Sequence, residues 1–226
     1  MAKAGGFKEV KVKICGNTNA EDAKLAAKLG ADYLGFIFTK SKRKVDVRNA
    51  TAIVQALPQF KNFVGVFANQ PKKEVEATAR DLGLRILQFH GDETALYCQY
   101  FMDHDYEIIK SFRIKDAMSL KRIDEYNVTA FLFDAYSKEE FGGTGRTFDW
   151  NLIANKPFVH DRLFLAGGLN IHNLPNAIDQ IHPYAVDVAS GVEKYPGKKD
   201  PELLEKFIRI AKEGIKQDAQ KGSVRT

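Results

Sequence analysis

The sequence predicts an α/β fold built as a single eight-stranded (β/α)8 barrel (a TIM barrel), and three observations carry that prediction. Eight short apolar runs recur along the chain, most of them apolar throughout, as strands buried on both faces must be. Segments with helical periodicity lie between runs, and a strand–helix–strand crossover requires parallel pairing. Composition does not shift along the 226 residues, so no linker or second domain is marked. An open doubly wound sheet also fits alternating strands and helices, but the count of eight favours closure. The chain is shorter than the roughly 250 residues usual for this barrel, which implies short loops.

The elements follow in order. Val10–Cys15 is the first strand. It leads into a helix over Asn19–Leu29, with Asn19 as its side-chain cap and Gly30 as its stop. Tyr33–Phe38 and Phe63–Phe67 are the next strands. A helix over Pro71–Leu82 has proline in its first turn and ends at Gly83. Ile86–Phe89 precedes a helical pattern from Thr94 to Asp103, and Glu107–Phe112 precedes another over Ala117–Glu125. Ala130–Asp134 and Leu163–Ala166 are strands six and seven. A helix over Asn173–Gln180 separates the latter from Ala185–Val188, the eighth strand. The last helix, Pro201–Lys216, sets Leu203, Leu204, Phe207, Ile208 and Ala211 on one face. The polar ends, residues 1–8 and 217–226, are expected to fray.

Composition narrows the function classes. With 44% hydrophobic residues the chain can bury a full core, which argues against disorder. A net charge of +5 suits an anionic partner of any size. The densest basic run, Lys40 to Lys44, is too short to argue for nucleic-acid binding. Two cysteines, Cys15 and Cys98, make neither a disulfide scaffold nor a metal-ligand spacing, so a reduced, cytoplasmic setting is expected. Met1–Lys8 lacks the apolar core of a signal peptide, and no apolar run approaches the roughly 18 residues of a membrane span. Oligomeric state leaves no mark in the sequence.

In such barrels the active site forms at the C-terminal ends of the strands. Reading those ends gives the candidate residues. Gly167-Gly168 after strand seven and Ser190-Gly191 after strand eight are turns whose backbone N–H groups can approach an oxyanion closely. Each Gly pair alone reads as a tight turn. Together, after strands seven and eight, they are where this fold cradles phosphate. Cys15 ends strand one. Read alone it packs as a small hydrophobe, but its position suits a general base where nearby charge favours the thiolate. Asp134 ends Ala130-Phe131-Leu132-Phe133, and a carboxyl after four apolar residues suits a general acid. A cap or loop hydrogen bond is the competing reading of Asp134. Arg43 can grip a carboxylate with both prongs, while Lys40, Lys42 and Lys44 read as solvated. Gln88 and His90 close strand four, His90 reading equally as a core histidine or a site residue. Asp187 alternates with Val186 and Val188, so it points into the barrel and needs a partner there. Gly143, within Gly142-Gly143-Thr144-Gly145-Arg146, lies on a loop that reads either as a cover able to close over substrate or as a merely flexible surface loop.

Together these residues resemble the phosphoribosylanthranilate isomerase family, over Val10 to Lys216. The resemblance is carried by Lys13-Ile14-Cys15-Gly16 with Glu21-Asp22-Ala23, Gly30-Ala31-Asp32 with Gly35-Phe36-Ile37-Phe38, and Val64-Gly65-Val66-Phe67. It continues through Gln88 to Glu93, Gly142 to Gly145 with Phe148-Asp149-Trp150, Leu165 to Leu169, and Asp187 to Glu193 followed by Pro196-Gly197 and Lys199-Asp200. It implies a barrel using no metal or organic cofactor. It also implies an Amadori rearrangement of N-(5-phosphoribosyl)anthranilate, with Cys15 as base at ribose C2, Asp134 as acid at the ring oxygen, and Arg43 on the anthranilate carboxylate. Four positions depart from the family pattern: Asn17 for leucine, Lys42 for proline, Phe89 for leucine and Ala189 for serine.

Rival readings remain on sequence alone. A related phosphosugar enzyme would call for a catalytic lysine on an early strand, and only Lys40 approaches a strand tip, Lys110 lying inside strand five. A non-catalytic phosphate-binding barrel would leave Cys15 and Asp134 without a role.

Overall fold

The structure, a computed structural model, describes residues 9–135, 148–154 and 159–213. Strands β1 (Lys11–Ile14), β2 (Tyr33–Ile37), β3 (Phe63–Phe67) and β4 (Ile86–Phe89) are followed by β5 (Glu107–Ile114), β6 (Ala130–Ala135), β7 (Leu163–Leu165) and β8 (Ala185–Val188). They pair in chain order, all parallel, and β8 returns to β1 to close the barrel. Each predicted run is a strand. The third, fourth and eighth have the predicted bounds, and the rest differ by one or two residues at an end.

Alternation along the strands builds two apolar layers. Val64, Ile86, Ile109, Leu132, Phe164 and Ala185 are among the side chains that fill the barrel interior. Their neighbours Ile14, Phe36, Leu87, Phe89, Phe131 and Leu165 point outward into a larger core beneath the helices. The closing register sets Lys13 directly opposite Asp187. At the other end of the barrel the Tyr33 and Tyr184 hydroxyls meet at 2.9 Å.

Helix α1 (Ala20–Leu29) is capped by Asn19, whose side chain accepts from the Asp22 N–H, and it ends at Gly30 in the left-handed region (φ 101°). Helix α2 (Val47–Gln55) is absent from the sequence prediction. It buries only Ala50 and Ile53, too thin a stripe to register, and its start is fixed by the Asp46 cap. Helix α3 (Lys72–Leu82) begins one residue later than predicted, with Pro71 as the cap residue itself. Helix α4 (Ala95–Met102) is capped by Thr94. The predicted helix over Ala117–Glu125 is instead two 3-10 turns, Ala117–Leu120 and Ile123–Glu125. Only Ile123 is buried there, so no apolar face holds a longer α-helix in place. Short α5 (Val159–Arg162) precedes β7, and α6 (Leu174–Ile181) connects β7 to β8. Helix α7 (Pro201–Glu213) buries Leu204, Phe207, Ile208 and Ala211, while Leu203 is half-buried and the predicted extension to Lys216 lies outside the described residues.

A small antiparallel hairpin, β9 (Glu193–Tyr195) and β10 (Lys198–Lys199), follows β8 and was not foreseen. Among the described residues no helix is long and apolar enough to cross a membrane.

Candidate active site

One cavity opens at the C-terminal ends of the strands. Cys15, Gln88, His90, Asp134 and Asp187 reach it from β1, β4, β6 and β8 or the residues just after them, and Arg43 from the loop after β2. Gly167, Gly168 and Ser190 line it from the turns after β7 and β8. Nine of the eleven predicted site residues therefore share one space. Gly191 sits behind it, where a Cβ would come within 2.0 Å of the Leu169 carbonyl oxygen; its missing side chain lets the β8 loop lie on the β7 loop. Gly143 and the rest of the predicted lid lie outside the described residues.

The two glycines after β7 serve different needs. Gly167 (φ 87°) is pressed against the end of β6, and a Cβ there would meet the Ala135 nitrogen at 2.4 Å and Asp134 Oδ1 at 3.0 Å. Glycine thus lets the β7 loop close against the candidate acid. The Gly168 carbonyl accepts from the side chains of Asn170 and Asn173, which fixes the turn into α6.

Asp134 is buried, and its Oδ2 lies 3.4 Å from His90 Nε2. His90 Nδ1 lies 2.9 Å from Gln88 Nε2, which also donates to Ser111 Oγ at 3.2 Å. With Gln88 donating, His90 carries its proton on Nε2, facing Asp134. Gln88 Oε1 is buried with no partner among the described residues, an acceptor available at the cavity wall.

Cys15 continues the inward face of β1, two residues after Lys13. Lys13 is fully buried one layer below, and its Nζ donates to Asp187 Oδ1 at 2.8 Å. This is the partner that Asp187 required. Gly35 on β2 makes the space: a Cβ there would lie 2.8 Å from Cys15 Sγ and 3.2 Å from Lys13 Nζ. Burial pushes the Cys15 thiol up; Lys13 and Lys199 pull it down, Asp187 pushes it up, and the balance is a raised thiol. Desolvation is the largest influence on it. Burial disfavours the Lys13 ammonium, but Asp187 and Cys15 outweigh it and hold Lys13 above its ordinary range.

Arg43 is not free. Its Nε lies 3.0 and 2.9 Å from the two Glu193 carboxylate oxygens, and its Nη2 lies 2.8 Å from Oε2. Glu193 Oε1 also accepts from Lys199 Nζ at 3.0 Å, and Lys199 in turn donates to the Cys15 carbonyl at 2.6 Å. The hairpin thereby ties the arginine loop to the strand end that carries Cys15. Gly16 (φ 73°) lets the Arg43 stem cross it, since a Cβ would meet Arg43 Cδ at 2.8 Å. The arrangement leaves Arg43 one guanidinium edge for a ligand and surrounds Glu193 with two cations.

Sequence reasoning missed Lys13, Glu193 and Lys199. Lys13 was visible from alternation alone, being two residues before Cys15. Nothing local announces Glu193 and Lys199, which reach Arg43 on the loop after β2 and the Cys15 carbonyl at the end of β1, both more than 100 residues away. Lys110, weighed as a rival catalytic lysine, faces away from the cavity and donates to Glu93 Oε2 at 3.0 Å and to the Gly91 carbonyl at 2.7 Å. Of the departures, Phe89 points outward onto Phe101 at 5.2 Å between ring centroids, and Lys42 is exposed. Asn17 is buried and donates to the Ile14 and Gly35 carbonyls, so it braces β1 against β2. Only Ala189 lines the cavity. The described residues hold no cluster of three or more metal-ligating side chains.

Comparison with known proteins gives the family. The family model described as N-(5'-phosphoribosyl)anthranilate (PRA) isomerase matches residues 12–210. An N-(5'-phosphoribosyl)anthranilate isomerase of Pelobacter propionicus is 47% identical over 205 residues, covering 90% of this chain and 96% of that protein. The crystal structure of phosphoribosyl anthranilate isomerase from Thermotoga maritima superposes with a TM-score of 0.81 at 39% identity, covering 90% of this chain and 98% of that one. A phosphoribosyl anthranilate isomerase crystallised with reduced 1-(o-carboxyphenylamino)-1-deoxyribulose 5-phosphate is 37% identical, with a TM-score of 0.77 and the same coverage. By sequence and fold, the chain belongs to the N-(5'-phosphoribosyl)anthranilate isomerase family.

Proposed function

We propose that this isomerase of tryptophan biosynthesis works through Cys15 as general base and Asp134 as general acid, on N-(5-phosphoribosyl)anthranilate held by its phosphate and its carboxylate. The observation that carries the reading is the meeting of Cys15 from β1 and Asp134 from β6 in the one cavity bordered by the β7 and β8 turns. The Asp134 carboxyl gives its proton to the ring oxygen as the C1–O bond breaks. The anthranilate nitrogen lone pair then forms the C1=N bond. The Cys15 thiolate takes the C2 proton, and the C–H electrons become the C1=C2 bond while the nitrogen recovers its lone pair. The resulting enol becomes the ketone as its hydroxyl proton leaves and C1 gains one. The product is an isomer, 1-(2-carboxyphenylamino)-1-deoxyribulose 5-phosphate, and no electrons enter or leave.

The remaining residues hold the substrate still, which is where positioned acid–base chemistry gains most. Gly167, Gly168, Ser190 and Gly191 form the phosphate cradle. The free edge of Arg43 meets the anthranilate carboxylate. Gln88, His90 and Asp187 face the ribose hydroxyls, and Gly143 belongs to the loop that covers them. A basic chain, in a cytoplasmic setting, suits a substrate with two anionic ends.

Steady-state turnover of purified Cys15→Ala and Asp134→Asn tests the assignment. Each variant is expected to lose about 10²–10⁴-fold in kcat with substrate binding retained. Near wild-type turnover in either would show that the residue is not the acid or base.

A further inference from the structure

We infer that Lys13 and Asp187 form a tuning pair beneath the thiol: Lys13 is the cation that makes the Cys15 thiolate accessible, and Asp187 opposes it. The inference rests on Cys15 being the base of the proposed reaction, and it deepens that reading by assigning what controls its proton.

Three observations converge. Lys13 and Asp187 are opposite one another in the β1–β8 register and paired at 2.8 Å. Lys13 is completely buried, so its charge has no water to screen it. Gly35, the facing residue of β2, has no side chain to separate Lys13 Nζ from Cys15 Sγ: a Cβ there would lie 3.2 Å from the one and 2.8 Å from the other. One ammonium therefore faces two groups that can carry negative charge. The groups around Cys15 are Lys13 on its own strand, Asp187 on β8, and Lys199 on β10, itself paired with Glu193. Lys13 and Asp187 cancel, so forming the thiolate leaves this trio, of which Lys13 and Cys15 are buried, with a net negative charge. Lys13 lowers that cost, and Asp187 raises it by holding part of the ammonium's attention.

The functional logic follows from the base required. A thiolate that forms too easily is a weak base toward a carbon acid, and one that never forms is no base. Burial alone would suppress ionisation. Lys13 restores it, and Asp187 keeps the sulfur basic. Lys13 touches no reacting atom in this scheme; it acts through Cys15.

The two substitutions must move the thiol in opposite directions, which a merely structural disturbance would not do. The measurement is the rate of Cys15 carboxamidomethylation by iodoacetamide against pH, read by mass spectrometry on the full chain without substrate. Lys13→Met is expected to raise the midpoint by about 1–3 pH units, and Asp187→Asn to lower it, since an opposite charge at this range shifts an ionisation by that much. Lys13→Arg, which keeps the cation, should stay nearer to wild type than Lys13→Met. Because Lys13→Met strands a buried carboxylate, the double variant Lys13→Met/Asp187→Asn is the folded control, with a midpoint between those of the single variants. An unmoved midpoint in Asp187→Asn, or single variants shifting the same way, overturns the inference. The titration needs no turnover, so it stands or falls separately from the reading of Cys15 as base, which Cys15→Ala turnover decides.

Discussion

Glu193→Gln probes the hairpin's hold on the site. In the native protein one buried carboxylate faces two cations, with Arg43 engaged through Nε and Nη2 and Lys199 through Nζ, all between 2.8 and 3.0 Å. Glutamine keeps the shape but removes the charge and turns a donor toward one cation. Removing one partner of a buried ion pair costs about 3–5 kcal/mol. Here one cation can escape: burial already holds Lys199 below its ordinary range, with Glu193 pulling the other way. Without Glu193 the neutral form of Lys199 is easier to reach, which keeps the loss near the lower end, about 3 kcal/mol. Against a typical total of about 5–15 kcal/mol the variant stays folded but visibly weakened. Urea unfolding at neutral pH measures that loss. Steady-state kinetics should show the second effect: Arg43 is no longer aimed, and KM rises about 10-fold, equivalent to 1.4 kcal/mol. The kcat should fall less, because Glu193 touches neither Cys15 Sγ nor Asp134. A stability loss under about 1 kcal/mol together with an unchanged KM would refute the coupling of hairpin, arginine and strand end.

Two further outcomes follow from close contacts and burial. Gly35→Ala inserts a methyl 2.8 Å from Cys15 Sγ, and overpacking of this kind costs about 1–3 kcal/mol; thermal unfolding should show it, and alkylation of Cys15 should slow as the sulfur is displaced. Burial pushes the Cys98 thiol up to about 12, while an unfolded thiol ionises near ~8.5. The folded state therefore keeps the proton that the unfolded state loses. The stabilisation is complete below the unfolded value and declines as pH rises between the two, by about 1.4 kcal/mol per unit. Urea unfolding at pH 9 and 10.5 should show a shallower alkaline loss for Cys98→Ala than for wild type, although that variant starts lower; equal slopes would show that Cys98 is not held neutral.

The barrel was legible because its rules are local. Each strand announces itself as an apolar run, and caps such as Asn19 and stops such as Gly30 are written in single residues. Helix α2 and the 3-10 turns after β5 escaped for the converse reason: so few side chains are buried there that periodicity carries no signal. Cys15 and Asp134 were legible because strand ends are where this fold does chemistry. What holds them was not. Arg43 and Glu193 are 150 residues apart, and Lys13 and Asp187 are 174 apart. Charge pairing across a closed barrel depends on register, and only closure of β8 on β1 reveals that Lys13 and Asp187 stand level.

That hidden layer bears on how the site should be read. The interior of such a barrel is ordinarily filled with branched apolar side chains. Here, directly beneath the thiol, one interior layer contains Lys13 and Asp187, while Val64, Ile86, Ile109 and Phe164 fill the rest. A buried ion pair is rarely better for stability than an apolar pair of similar volume, and often worse. Stability therefore gives no reason for charges at this depth. Ionisation of the neighbouring sulfur does, since a fixed cation in a dry interior acts on a thiol far more strongly than one at the surface. The same reasoning applies to Glu193 and Lys199, whose burial is explained once their task is to hold an arginine and a strand end in register with a substrate. Among the described residues, buried Lys13 lies beside Cys15 and buried Lys199 binds the strand end that carries it, whereas Lys110 and Glu93 brace the loop that carries His90.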